Sequence, residues 1–205
     1  MSEYNSLRRD QLDALREIGN IGSGNAATAL AQFLNRKIDM EVPQVKILSI
    51  GQIPQLLGGP EAKVLGIYLM VLGKITGRFM LLLPETTAIK LLNNLIPGTN
   101  ATFPLNMDEM QESCMREVGN ILAGSFLNAL SVLANTPMLC SLPTLACDMV
   151  GAILDSVIAE MAAISDDVLM IETSFFDDLE NMKIHIFLLP DPQSIGILFE
   201  HLGIK

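Results

Sequence analysis

The chain has 205 residues, half of them apolar, with a formal charge of −10 and an isoelectric point near 4.5. That is enough apolar material for a sizeable core without disulfide or metal staples. The acidity excludes a counterion-displacing nucleic-acid binder and disfavours anionic membrane surfaces.

The opening stretch, MSEYNSLRRDQLD, has basic residues with no apolar run behind them, so no secretory signal is expected. The first long helical pattern follows, roughly residues 6–35, with apolar positions recurring at three and four. Strand-like runs come next at Val45 to Ile50, Val64 to Leu72 and Ile75 to Leu83. The most apolar of these stops at Lys74, far short of the roughly 20 residues a bilayer span needs, so no membrane insertion is expected. Pro84-Glu85-Thr86-Thr87 opens a short helix, with acid at its dipole-favoured end.

IPGTNATFPLNMDE then reads as a turn and helix start, not as a tether. The pattern begins again with a helix over roughly 108–135. Strands follow at Thr144 to Val150, Val168 to Phe175 and Met182 to Leu189, and Pro190-Asp191-Pro192 opens a last helix. Residues 16–30, REIGNIGSGNAATAL, match residues 116–130, REVGNILAGSFLNAL, at eight positions without gaps, where average composition gives about one. Asn35 and Asn135, then Pro43 and Pro143, continue the match, and LLLPETTAIKLLNNLIPG resembles FLLPDPQSIGILFEHLGI further on.

Internal repeats dominate such a reading. The expected fold is mixed α/β (α+β): one domain over residues 1–205 with an internal pseudo-twofold duplication. Its two α-β-β-β-α halves (1–100 and 101–205) would pack two long helices on antiparallel sheet. A monomer follows, because the twofold is satisfied within one chain.

Cys114, Cys140 and Cys147 are odd in number, form no C-x-x-C pair and lie in apolar stretches. They are expected as small buried side chains in a reducing cytoplasm. With His185 and His201 the only histidines, no metal cage or His–Cys nucleophilic site suggests itself. GNIGSGNAA at 19–27 lies mid-helix without the lysine of a phosphate loop, so no nucleotide site is expected.

Asp13, Glu17 and Asn20 sit at i, i+4 and i+7, within about 60° of helical arc. Ser113, Glu117 and Asn120 repeat the spacing, and each Asn precedes its proline by 23 positions. Such a stripe is ordinarily a solvated face, yet surface positions drift after duplication and here Glu and Asn are identical in both copies. Gly19, Gly22 and Gly24, with Gly119 and Gly124, lie inside these helices, where each costs about 1 kcal/mol against Ala. Close packing on sheet or helix would explain them; room for a docking partner beside Asn20 and Asn120 is the alternative.

The doubled Asp/Ser-x-x-x-Glu-x-x-Asn-x22-Pro motif resembles the CheC/CheX/FliY family of chemotaxis phosphatases, with both halves matching at every motif position. The resemblance implies hydrolysis of the phosphoaspartate of a CheY-like receiver domain. Carried over, Glu17, Asn20, Glu117 and Asn120 are catalytic, with Asp13, Ser113, Pro43 and Pro143 in support. Asn would place the attacking water, and Glu would hold the receiver's lysine. Asp13 and Ser113 would brace the Glu or help the first helical turn, and the prolines would fix the entry to the first strand. The receiver would supply Mg²⁺, so the chain needs no cofactor of its own. FliM-type switch proteins share the fold but lack the Glu/Asn pair. Two further readings are a non-catalytic module for a phosphorylated receiver and an adaptor for the receptor deamidase CheD.

Overall fold

A computed structural model describes residues 9–160, 167–176 and 181–201. The first helix, α1 (Arg9–Leu34), and its counterpart α4 (Glu109–Leu133) are the long elements the periodicity predicts. The part of the first expected helix before residue 9 lies outside the described residues. α4 starts at a capping box: the Asp108 carboxylate accepts from Gln111 N–H at 2.8 Å, and the Gln111 side chain accepts from Asp108 N–H at 3.1 Å.

Both helices stop the same way. Asn35 (φ 50°) and Asn135 (φ 45°) take the left-handed conformation, Arg36 N–H reaches back to Ala31 O, and Thr136 N–H to Ser131 O. Asn tolerates that region and ends each helix as a Schellman cap.

The chain then runs through β1 (Asp39–Met40), β2 (Gln44–Ser49), a 3-10 turn (Ile50–Gln52), α2 (Ile53–Leu56), β3 (Lys63–Gly73), β4 (Gly77–Pro84) and α3 (Glu85–Leu95). After α4 come β5 (Met138–Cys140), β6 (Thr144–Met149), α5 (Val150–Glu160), β7 (Asp167–Phe176), β8 (Asn181–Pro190) and α6 (Pro192–His201). The α-β-β-β-α expectation is corrected by this order: each half reads α-β-β-α-β-β-α. Strands β1 and β5 are too short to show an alternation. Helix α5 begins at Val150, which the sequence reading placed at the end of a strand; its apolar positions 150, 153, 154, 157 and 158 keep helical spacing.

Among the described residues, eight strands join one antiparallel sheet, with β8 and β4 at its centre. β4 pairs with β8 from Gly77 opposite Pro190 to Leu82 opposite His185. Outward, β7 carries β2 and β1, while β3 carries β6 and β5. The strands after α1 are thus paired with a hairpin of the second half, and those after α4 with a hairpin of the first.

Alternation along the strands splits the core in two. Leu65, Ile67, Leu69, Phe79, Leu81, Ile184 and Ile186 face α1, α3, α4 and α6. Val64, Met80, Leu82, Phe187 and Leu189 face the other way, under Ile53 of α2 and Val150, Ile153, Leu154 and Val157 of α5. The cysteines are half-buried and unpaired, a correction to their expected burial. Burial still pushes the Cys147 thiol pKa up, although Leu105 N–H donates to its sulfur at 3.3 Å. Among the described residues, no helix is long and apolar enough to cross a membrane.

Candidate functional site

On α1 the buried stripe is Leu15, Ile18, Gly19, Gly22, Ser23, Ala26, Ala27 and Leu30; on α4 the residues 100 positions on are buried in turn. With that face committed to the core, the opposite one carries Asp13, Glu17 and Asn20, all exposed. Ser113 and Glu117 are exposed on α4 and Asn120 is half-exposed. In the second copy Asn120 Nδ2 donates to Glu117 Oε2 at 3.4 Å, a long and readily exchanged contact between the two motif side chains.

The prolines are buried beneath this face. A Cβ built on Gly19 would lie 3.0 Å from Val45 Cγ2 and 3.6 Å from Pro43 Cγ. On Gly119 it would lie 2.6 Å from Ile67 Cγ2 and 3.6 Å from Pro143 Cγ. The residue before each Asn is therefore glycine because a sheet side chain, Val45 of β2 or Ile67 of β3, lies against the helix there, with the proline in ordinary contact beside it. Gly22 is likewise filled from outside, by the ring of Phe126 where α1 crosses α4. Gly24 and Gly124 differ: nothing lies within 4 Å of a Cβ at either position. Close packing accounts for three of the five helical glycines and fails for these two, which stand one turn beyond Asn20 and Asn120.

The outer motif positions separate the halves. Asp13 takes Arg16 as its partner at 3.0 Å, with both side chains more than half exposed. Ser113 lies inside α4, whose cap is Asp108. With no carboxylate at 113, Arg116 donates instead to Glu112 at 3.2 Å and to the Pro143 carbonyl at 2.6 Å. The proline loop is tied to the helix in the second copy by that last bond. Arg16 and Arg116 open the repeated window as matched positions, although the motif assigns them no role.

A second polar cluster sits on the opposite sheet face. Lys183 pairs with Glu172 at 2.5 Å, and buried His185 has Nδ1 3.7 Å from the other Glu172 oxygen. Burial pushes the Glu172 pKa up, but Lys183, His185 and Lys46 outweigh it and leave the carboxyl below its ordinary range. For His185 burial is the main cause of a lowered pKa; Glu172 opposes it, and Lys183 and Lys46 add to it.

Eight antiparallel strands with paired long helices on one face define a mixed α/β architecture also seen in flagellar and chemotaxis proteins. The solved FliY of Thermotoga maritima superimposes with a TM-score of 0.75 at 21% identity, covering 97% of this chain and 98% of that one. The FliM middle domain of H. pylori gives 0.67 at 12%, covering 94% and 98%. The CheC-like family model matches residues 11–47, the window of the first motif and its proline. A Bacillus subtilis protein named CheY-P phosphatase CheC is 39% identical over 206 residues, 99% of each chain. The chain belongs to the CheC-like family. Flagellar motor switch phosphatase FliY of the same organism is 29% identical over 63% of this chain and 33% of its own length.

Proposed function

We propose that this chain is a protein phosphatase that hydrolyses the phosphoaspartate of a CheY-like receiver domain, at two sites. One is Glu17 with Asn20 on α1, the other Glu117 with Asn120 on α4. The observation that carries this is the Glu/Asn pair one helical turn apart on the solvent side of each long helix, presented twice, each time with a buried proline packed against the glycine before the Asn. The kinship with a relative named as a CheY-P phosphatase supports the same reading.

A phosphoaspartate is an acyl phosphate and already labile, so the enzyme has little covalent chemistry to add. Water attacks phosphorus, the acyl P–O bond breaks, a carboxylate leaves, and the water's proton passes to phosphate or solvent. Placing that water in line is the remaining task, and a neutral amide does it without repelling the phosphoryl anion. Glu17 or Glu117 holds the receiver's active-site lysine and keeps the helix in register. Magnesium comes with the receiver. The chain works as a cytoplasmic monomer.

The test adds a substoichiometric amount of this protein to a CheY-like receiver carrying labelled phosphate. Clearance of many equivalents, faster than the receiver's own decay, is expected. Stoichiometric protection of the label would refute catalysis and favour a non-catalytic binding module, the reading to which the FliM-like fold lends itself.

A further inference from the structure

Each candidate site is flanked by an aliphatic side chain that the fold leaves bare. Val42 and Leu142 occupy the same place in the two halves, directly before Pro43 and Pro143, and are 78% and 85% exposed. Single exposed apolar residues are common and by themselves mean little. Here the backbone that carries them is held. Glu41 N–H donates to Ser174 O at 3.0 Å and Ser141 N–H to Met70 O at 2.9 Å. The prolines are buried under Gly19 and Gly119, and Arg116 binds the Pro143 carbonyl. An anchored loop thus presents an aliphatic group beside a Glu/Asn pair, twice.

On the helix itself, half-buried Gly24 and Gly124 leave room for a side chain one turn past the Asn, with no neighbour to explain its absence. The apolar shoulder joins each polar pair through the proline packed against the glycine before the Asn, and the arrangement suits a domain surface closing over the helix more than a small molecule.

Resting on the phosphatase reading, we propose that Val42 and Leu142 seat the phosphorylated receiver by packing on the apolar rim of its acidic phosphorylation pocket. Glu and Asn then enter the pocket, and the glycines let the rim approach the helix. These residues position the partner and take no part in bond making, so their loss acts on association, not on the chemical step.

The experiment compares wild type with the double variants V42S/L142S and V42M/L142M. It measures the Kd for a CheY-like receiver loaded with beryllofluoride, together with KM and kcat on the phosphorylated form. The serine pair is expected to raise Kd and KM about tenfold, with kcat within about twofold and an unchanged melting temperature; the methionine pair restores binding. Unchanged Kd and KM in the serine pair would overturn the proposal, as would a fall in kcat alone or in melting temperature. Because the Kd reads association without turnover, a wild type that binds but does not hydrolyse refutes the catalytic reading and still decides this one.

Discussion

Replacing helical glycines by alanine is expected to move stability in opposite directions along the same two helices. At Gly24 and Gly124 an added Cβ meets nothing within 4 Å, so only helix propensity acts. Each substitution should then stabilise by about 0.5–1 kcal/mol. The pair G24A/G124A gains about 1–2 kcal/mol, or about 2–8 °C in Tm for a chain of this size. At Gly22 the new methyl falls on the ring of Phe126, which is buried and stacked at a tilt against Phe79. At Gly119 it lies 2.6 Å from Ile67 Cγ2 in the sheet core. Overpacking of this kind costs about 1–3 kcal/mol, more than propensity returns, so G22A and G119A should lower Tm. Urea and thermal unfolding of G24A, G124A, G22A and G119A, and of the pair G24A/G124A, decide the matter. If G24A/G124A destabilises, or if all four shift alike, the division of these glycines into packed and open fails.

The remaining expectations concern chemistry and pH. N20A/N120A should abolish stimulated dephosphorylation with receiver binding nearly intact, while either single variant stays active; full turnover in the double variant would refute water placement by Asn. E17K/E117K should weaken binding itself by setting like charge against the receiver's lysine, measurable as a raised Kd for the beryllofluoride-loaded receiver. His185 titrates below its ordinary value near 6.5 because burial favours its neutral form, with Lys183 and Lys46 adding to the effect against Glu172. Its contribution is whole above pH 6.5 and declines as pH falls below it, where the unfolded chain takes up the proton first. Urea unfolding between pH 7 and 5 should show that decline flattened in H185L; an identical slope in both proteins would assign the acid sensitivity elsewhere.

Much of the candidate site could be read without coordinates. The burial of Leu15, Ile18 and Leu30 and of their counterparts Met115, Val118 and Leu130 follows from helical spacing, and that same spacing turns Glu17 and Glu117 to solvent. Strand limits came within a few residues for the six longer strands, because their apolar runs end at turn residues. β1 and β5 were missed: two or three residues carry no period, and each exists only because β7 or β3 offers an edge to pair with. α5 was missed although its apolar spacing was helical.

The amino-acid sequence by itself determined the two long helices, the repeated Glu/Asn stripe and the proline 23 residues beyond each Asn, since these rest on local periodicity and on spacing along one chain. Only the tertiary structure decided that strands of one half pair with a hairpin of the other. It also decided which glycines are filled, by Phe126, Val45 and Ile67, and that Arg116 turns to the Pro143 carbonyl. Those contacts join residues far apart in the chain, and a partner chosen by packing and hydrogen bonding across such distances leaves no periodic trace in the residues that make it.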